Sequence, residues 1–283
     1  MHIDIKHEIL ESNAGRTGLI ILGGMTVLAV SAPVLAPYDP VAQTTSVFLQ
    51  ASYQHLLGTN HVGQDIWSQL VYGARTSLAV GFGVGIISTL LSMLIGILCA
   101  MLGGYFDKII MRIVDALIII PAIIVVILVA AYIRPGIAML IIVLALLSWP
   151  GGARVVRAQA MSLKERGHIY AARASGAGTM YIAGRHIIPD LGPILIVEFI
   201  YGVRRAVFIE AGLAFLGIGD PLQVSWGTMM HEAMRFSYLN VWQWWLIPAG
   251  LALSLTIIGL TYIGHAAEPV LEPRLKGNAI AAN

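Results

Sequence analysis

ARVVRAQAMSLKERGHIYAARASGAGTMYIAGRHIIPD, residues 153–190, is a polar, basic stretch set between two apolar runs. It holds Arg154, Arg157, Lys164, Arg166, Arg173 and Arg185, six of the chain's seventeen basic residues. Charge at this density is expelled from hydrocarbon, so the stretch is expected in water and the runs on either side of it in lipid. Within it, residues 170–177 (Tyr-Ala-Ala-Arg-Ala-Ser-Gly-Ala) read as a short helix of small residues stopped by Gly176. Residues 180–188 read as a second helix, ended before Pro189 because a proline disfavours helical geometry in the residue ahead of it. Neither is long enough to be stable alone. Two short helices with a smooth face suit docking against a partner.

The surrounding composition agrees with a membrane setting. Of 283 residues, 58% are hydrophobic and only 11% charged, where soluble domains carry roughly 25% charged residues. The net charge of +2 gives no reason to expect nucleic acid as a partner. Cys99, the single cysteine, lies in an apolar run and excludes an intrachain disulfide.

Working outward, residues 1–16 form a polar N-terminal segment and 17–36 an apolar run of spanning length. That run is longer than the core of a cleaved signal peptide and is followed by Pro37. Residues 37–77 read as an external loop with turns, its His55 and His61 solvated rather than metal-bound. A five-helix core is expected over 78–269. Its first helix, 78–102, is rich in Gly81, Gly85, Gly96, Ser88 and Ser92, which let helices approach closely in lipid. The next span, 109–133, carries Arg112 and Asp115, expected to neutralise each other on one face, and Pro121, expected to kink it. Further spans are expected over 137–152, 191–219 and 244–264, with an external loop at 220–243. Trp242, Trp244 and Trp245 lead the last span as an interfacial anchor, and 270–283 form a polar tail.

Orientation follows from the basic residues. With a cytoplasmic N-terminus, twelve Lys and Arg lie inside and three, Arg75, Arg134 and Arg235, outside, while Arg204 and Arg205 fall within a span. The excess places both termini and the 153–190 loop in the cytoplasm.

The spacing of Ala171-Ala172, Gly176 and Pro189 resembles the cytoplasmic signature loop of permease subunits of ATP-driven importers. Other blocks extend the likeness: HLLGTNHVGQD at 55–65, YGARTSL at 72–78, WPG at 149–151, AFLG at 214–217 and EPRL at 272–275. Together they are similar to the C-type permease of the dipeptide, oligopeptide and nickel transporter family. The resemblance implies an all-α type I importer permease of six spanning helices in the cell inner membrane. It implies as partners a second, homologous permease, two ATPases that use ATP and Mg, and an external solute-binding protein. It also implies that the signature loop couples to the ATPases, through Tyr170, Ala171, Ala172, Arg173, Gly176, Ala177 and Pro189. One departure stands out: the family carries a glutamate where this chain has Tyr170. That carboxylate interaction is then absent or supplied by the ATPase. A Gly176→Asp change is expected to uncouple transport.

Glu198, Arg204, Arg205 and Glu210 stand inside the fifth expected span, where each charge costs about 2.5–3.5 kcal/mol on insertion scales. Either they pair with one another or with the partner permease, or an arginine lines the path. No Gly-Lys pair occurs, so the chain has no GxxxxGK[ST] phosphate loop of its own, and no nucleophile, metal or cofactor motif is evident. The expected function is that of a permease for peptides. The alternatives are a nickel or metal-chelate permease and, from another class, an ion-coupled carrier, which would be expected to show inverted repeats.

Overall fold

The computed structural model describes residues 5–132, 136–218, 220 and 223–268. The connection at Arg134-Pro135, the loop residue Pro221, and the EPRL block with Arg274 and Lys276 in the tail lie outside the described residues. The regular secondary structure of the described residues is all helix, apart from one isolated antiparallel bridge between Thr59 and Asp65 in the non-helical segment 36–65. In order the helices are α1 (Ile5–Glu11), α2 (Asn13–Val30), α3 (Ala32–Leu35), α4 (Ile66–Leu102), α5 (Gly104–Ile119), α6 (Ala122–Tyr132), α7 (Ile137–Lys164), α8 (Gly167–Ala174), α9 (Thr179–Ile182), α10 (Ile188–Phe215), α11 (Trp226–Arg235) and α12 (Trp242–Ala267). Helices α2, α4, α7 and α12 are each long and apolar enough to cross a membrane, and α5 with α6 forms a bent pair that could be a fifth crossing. The 28-residue α10 has the length as well, but its charges hide it from a hydropathy measure.

Helix α4 is the spine, packed along α7 on one side and α10 on another. Small residues set how close these helices come. A Cβ on Gly85 would stand 2.6 Å from Val203 of α10, and one on Gly96 would stand 2.8 Å from the Ala153 carbonyl of α7. In lipid, where burial of apolar surface gains nothing, such close van der Waals packing carries the association. On the far side Gly18 of α2 meets Gly259 of α12 in the same way.

Several boundaries differ from the hydropathy reading. The spine starts at Ile66 rather than near residue 78, because Asp65 caps it, accepting from the Ser68 amide at 2.8 Å and the Ser68 hydroxyl at 2.7 Å. Its first turns bury Ser68 and Gln69, polar residues that a hydropathy window discards. Pro121 does break the third apolar run, and α5 and α6 meet at 74°. Asp115 pairs with Arg154 of α7, not with Arg112 as expected. Asp107 at the head of α5 holds Arg157 through both its carboxylate oxygens. These two pairs, and Lys164 donating to the Ala100 carbonyl at 3.2 Å, carry α7 without interruption to Lys164. The first part of the basic stretch, to Lys164, is therefore a continuation of the apolar helix that starts at Ile137.

The expected external loop is exposed and built of turns over 37–57, but its end is not solvated: Thr59, Asn60 and Asp65 are buried. The Asn60 carboxamide oxygen accepts from the Val62 and Gln64 amides at 3.0 and 2.9 Å. Thr59 accepts from the Leu49 amide at 2.9 Å and donates to the Ser46 carbonyl at 2.6 Å. His55 bonds Asp65 at 2.8 Å. The 220–243 loop likewise contains a helix, α11, opened by a reciprocal cap between Ser225 and Thr228. Its Trp226 is fully buried and donates to the Leu70 carbonyl at 3.1 Å. Trp245 is core rather than interfacial anchor. It is buried, with Phe236 and His61 stacked on it at centroid distances of 6.4 and 5.8 Å.

Candidate functional site

The end of the bundle expected in the cytoplasm carries α8, whose apolar peg is Ile169. Ile169 is buried among Val156, Ala160 and Leu163 of α7 and Ile182, Ile187 and Leu191 beyond it. The rest of α8 is turned outward: Tyr170, Ala171, Arg173, Ala174 and Gly176 are exposed, Ala172 and Ala177 half-buried. The helix ends as its sequence predicts. Gly176 has φ +85°, its amide bonds the Arg173 carbonyl, and the Ala177 amide reaches back to Ala172, each at 3.0 Å. This double closure needs a left-handed residue, hence glycine. A Cβ at Gly176 would meet nothing within 4 Å, so the constraint there is the backbone and not space.

Tyr170, at the position where the resemblance implies a glutamate, is not without a carboxylate. Its hydroxyl donates to Glu165, five residues back, at 2.7 Å. That bond holds the phenol proton above its ordinary range. Arg166 and His168 both approach Asp190 at 3.7 Å, tying the start of α8 to the foot of α10.

Between α9 and α10 the chain does not stop. Residues Ala183–Ile187 form one π-helical turn, and α10 starts at Ile188 with Pro189 in its first turn. The expected end before Pro189 is corrected for a physical reason. A proline lacks the N–H of the regular ladder and crowds the carbonyl four residues back, and a widened turn at that place lets the helix pass. Pro193 follows inside α10.

Higher on α10, Glu198, Tyr201 and Arg205 share one face of the helix. With Ser88 and Ser92 of α4 and Ser148 and Gly152 of α7 they line a cavity of about 230 Å³. Arg205 is exposed to it. Arg204 turns away, its guanidinium 4.8 Å from the Tyr201 ring centre and bonded to the Thr261 hydroxyl of α12 at 3.3 Å. Glu210 is separate from these groups. It is buried against α4 and accepts from Ser77 at 3.1 Å, with the Ser225 hydroxyl also bonded to it. The four charged residues beyond the first turn of this helix thus occupy three environments: Glu198 and Arg205 together, Arg204 on an aromatic ring, Glu210 among hydroxyls. Among the described residues no ion pair joins either arginine to either glutamate. The serines and Gly152 contribute to the cavity without any signal in the sequence beyond their small size.

The chain was compared with known proteins. Residues 92–277 match the family described as binding-protein-dependent transport system inner membrane component. A protein of Brucella suis biovar 1, provisionally named a peptide permease protein, is 34% identical over 275 residues, 96% of this chain and 91% of its own length. The dipeptide transport system permease protein DppC of Bacillus subtilis is 32% identical over 275 residues, covering 96% of this chain and 86% of its own. Among solved structures, a chain of the inward-facing MetNI methionine ABC transporter superposes with a TM-score of 0.58 at 21% identity, covering 71% of this chain and 96% of that one. At that identity the likeness concerns the fold.

Proposed function

The chain belongs to the family of binding-protein-dependent transport system inner membrane components, and from that premise we propose that it is the peptide-translocating permease of an ATP-driven importer. The names of its relatives favour di- and oligopeptides over nickel. It supplies half of a path that a second, homologous permease completes, and it receives its solute from an external binding protein. ATP and Mg are used by two cytoplasmic ATPases. In this reading α10 is a spanning helix, making six with the bent α5–α6 pair counted once, and both termini are cytoplasmic.

The observation that carries the reading is the construction of α8. A helix of small residues, exposed over most of its surface and pegged to the bundle by Ile169 and the contacts of Arg166 and His168 with Asp190, has the shape of a ball presented to a socket. Charge-assisted hydrogen bonds from Arg166, Arg173 and Arg185 would secure its rim. Tyr170 and Glu165 together offer a partner ATPase a carboxylate close to where the related loops carry one.

Purification of the tagged chain in mild detergent, with mass spectrometry of what stays bound, tests this. A second permease and Walker-type ATPases are expected. Isolation of the chain alone, active in liposomes under an ion gradient without ATP, would overturn the proposal.

A further inference from the structure

The cavity between α4, α7 and α10 holds two ionic groups that folding leaves unused. Elsewhere this chain closes its membrane-edge charges on one another, Arg154 on Asp115 and Arg157 on Asp107. Glu198 and Arg205 are treated differently. They face the same cavity, with no ion pair between them among the described residues. Room for the carboxylate is built in. A Cβ on Gly152 would sit 3.1 Å from Glu198 Oε2 and 2.5 Å from Ser92 Oγ. Ser92 itself donates to the Trp149 carbonyl at 2.8 Å, so it does not satisfy Glu198. Arg204 is committed to Tyr201 and Thr261, which leaves Arg205 as the guanidinium open to the cavity.

We propose that Glu198 and Arg205 form a two-point site for a zwitterion of dipeptide length, taking the solute's ammonium on Glu198 and its carboxylate on Arg205. The inference rests on the peptide-permease reading and adds to it a site within the membrane and an orientation. Seven residues of α-helix separate the two positions by about 10 Å at 1.5 Å per residue. An extended dipeptide spans about 7 Å at most, and a charge-assisted hydrogen bond of about 2.8 Å at each end brings the total to about 13 Å, so the two side chains hold it by leaning apart by about 2–3 Å beyond the backbone rise. Guanidinium suits the carboxylate end, since it can hold both oxygens at once. On the facing helices, Ser148 offers a hydroxyl to the peptide bond, and Ser88, whose proton goes to the Gly85 carbonyl at 3.3 Å, can accept from its N–H. With the foot of α10 cytoplasmic, Glu198 lies on the inner side, so the amino end leads. A solute lacking either charge leaves one ionic group unmatched in a poorly hydrated place and is disfavoured on that account.

The test uses the whole importer in proteoliposomes with its binding protein, and three probes: alanyl-alanine, N-acetyl-alanyl-alanine and alanyl-alanine amide. Uptake is compared between wild type, Glu198→Gln, Arg205→Gln and Arg205→Lys, with assembly checked by co-purification. Each neutral variant is expected to take up alanyl-alanine about tenfold more slowly, as for the loss of one charge-assisted contact. Arg205→Gln should lose preference against the amide and keep it against the acetylated probe, Glu198→Gln the reverse, and Arg205→Lys should recover part of the loss. Because one binding protein serves all variants, such a crossed pattern arises in the permease. Equal loss for all probes in assembled variants, or preferences unchanged from wild type, would overturn the site. If Glu198→Gln does not assemble, the Arg205 pair decides. Wild-type importer that takes up none of the three probes, yet hydrolyses ATP in response to a different solute, would instead overturn the peptide reading itself.

Discussion

The two ends of this molecule are built on opposite plans. At the end proposed to face outward, residues 58–65 and α11 bury polar groups such as Thr59, Asn60, Asp65 and Ser225 and bond them to their own chain, and His61, Phe236 and Trp245 stack in a three-ring cluster at 4.9, 5.8 and 6.4 Å. At the end proposed to lie in the cytoplasm, α8 and α9 leave Tyr170, Met180 and Tyr181 more than half exposed and hold to the bundle largely through a handful of isoleucines. The first end is fastened by the chain itself, and the second presents its surface to something else. Substitutions should therefore cost stability at the first end and transport at the second.

The sharpest attempt to break that contrast is Trp226→Ala. It removes a fully buried side chain and the partner of the Leu70 carbonyl, so thermal unfolding of the purified chain should show a loss of about 3–5 kcal/mol. A loss below about 1 kcal/mol would mean that the external unit is not fastened as described. Next in size is Gly176→Val, which places a β-branched residue at φ +85°. The local cost is about 1–2 kcal/mol, paid in a loop and not in the core. Membrane abundance should hold while ATP-driven uptake falls severalfold or more. Gly176→Asn, which tolerates this backbone, is expected to lie between. Gly176→Asp also suits the backbone, so uncoupling by that variant would report on the surface of α8 rather than its shape. Parallel falls in abundance and uptake would erase the contrast.

A smaller effect should appear with pH. Burial holds the His61 imidazole below its ordinary value of 6.5, against an opposing pull from Glu232. The unfolded chain then binds the proton more readily than the folded one. Stability from this group is full above about pH 6.5 and declines as pH falls toward the lower folded value. Melting curves across pH 7.5 to about 5 should show that slope, and His61→Phe, which keeps the aromatic stack, should flatten it. Smallest is Tyr170→Phe. It deletes only the exposed bond to Glu165, so stability should move by no more than about 0.5 kcal/mol. Its effect, read as substrate-stimulated ATP hydrolysis by the assembled importer, falls on coupling alone.

The sequence declared its apolar runs and its glycine-stopped helix openly, because hydropathy and a left-handed stop are local properties. Gly176 and Pro121 did what their residue types require. What stayed hidden depends on residues far apart. The start of α4 at Ile66 lies among Trp67, Ser68 and Gln69, polar-looking until residues 37–65 fold over them. Helix α11 was concealed in a stretch of mixed polarity, although its Ser225-x-x-Thr228 cap was there to be read. Asp115 had Arg112 three residues away and chose Arg154, thirty-nine away, since a neighbouring helix offered better geometry. The division of Glu198, Arg204, Arg205 and Glu210 into three environments follows from which helix each one faces, and residue types alone do not carry that.

The π-turn at Ala183–Ile187, Pro189 and Pro193 all lie in or just below the first two turns of α10. From Ile194 to Phe215 the helix is continuous and without proline, though Gly202 and Gly212 lie within it. Twist applied at its foot is then carried along the helix toward Glu198 and Arg205. A helix with its side chains has a radius of about 5–6 Å, so ten degrees of rotation carries a side-chain tip through about 1 Å. A displacement of that size is enough to make or lose a hydrogen bond. Arranged so, the machine would need no large swing to change its grip on a solute, only a small turn of the wrist.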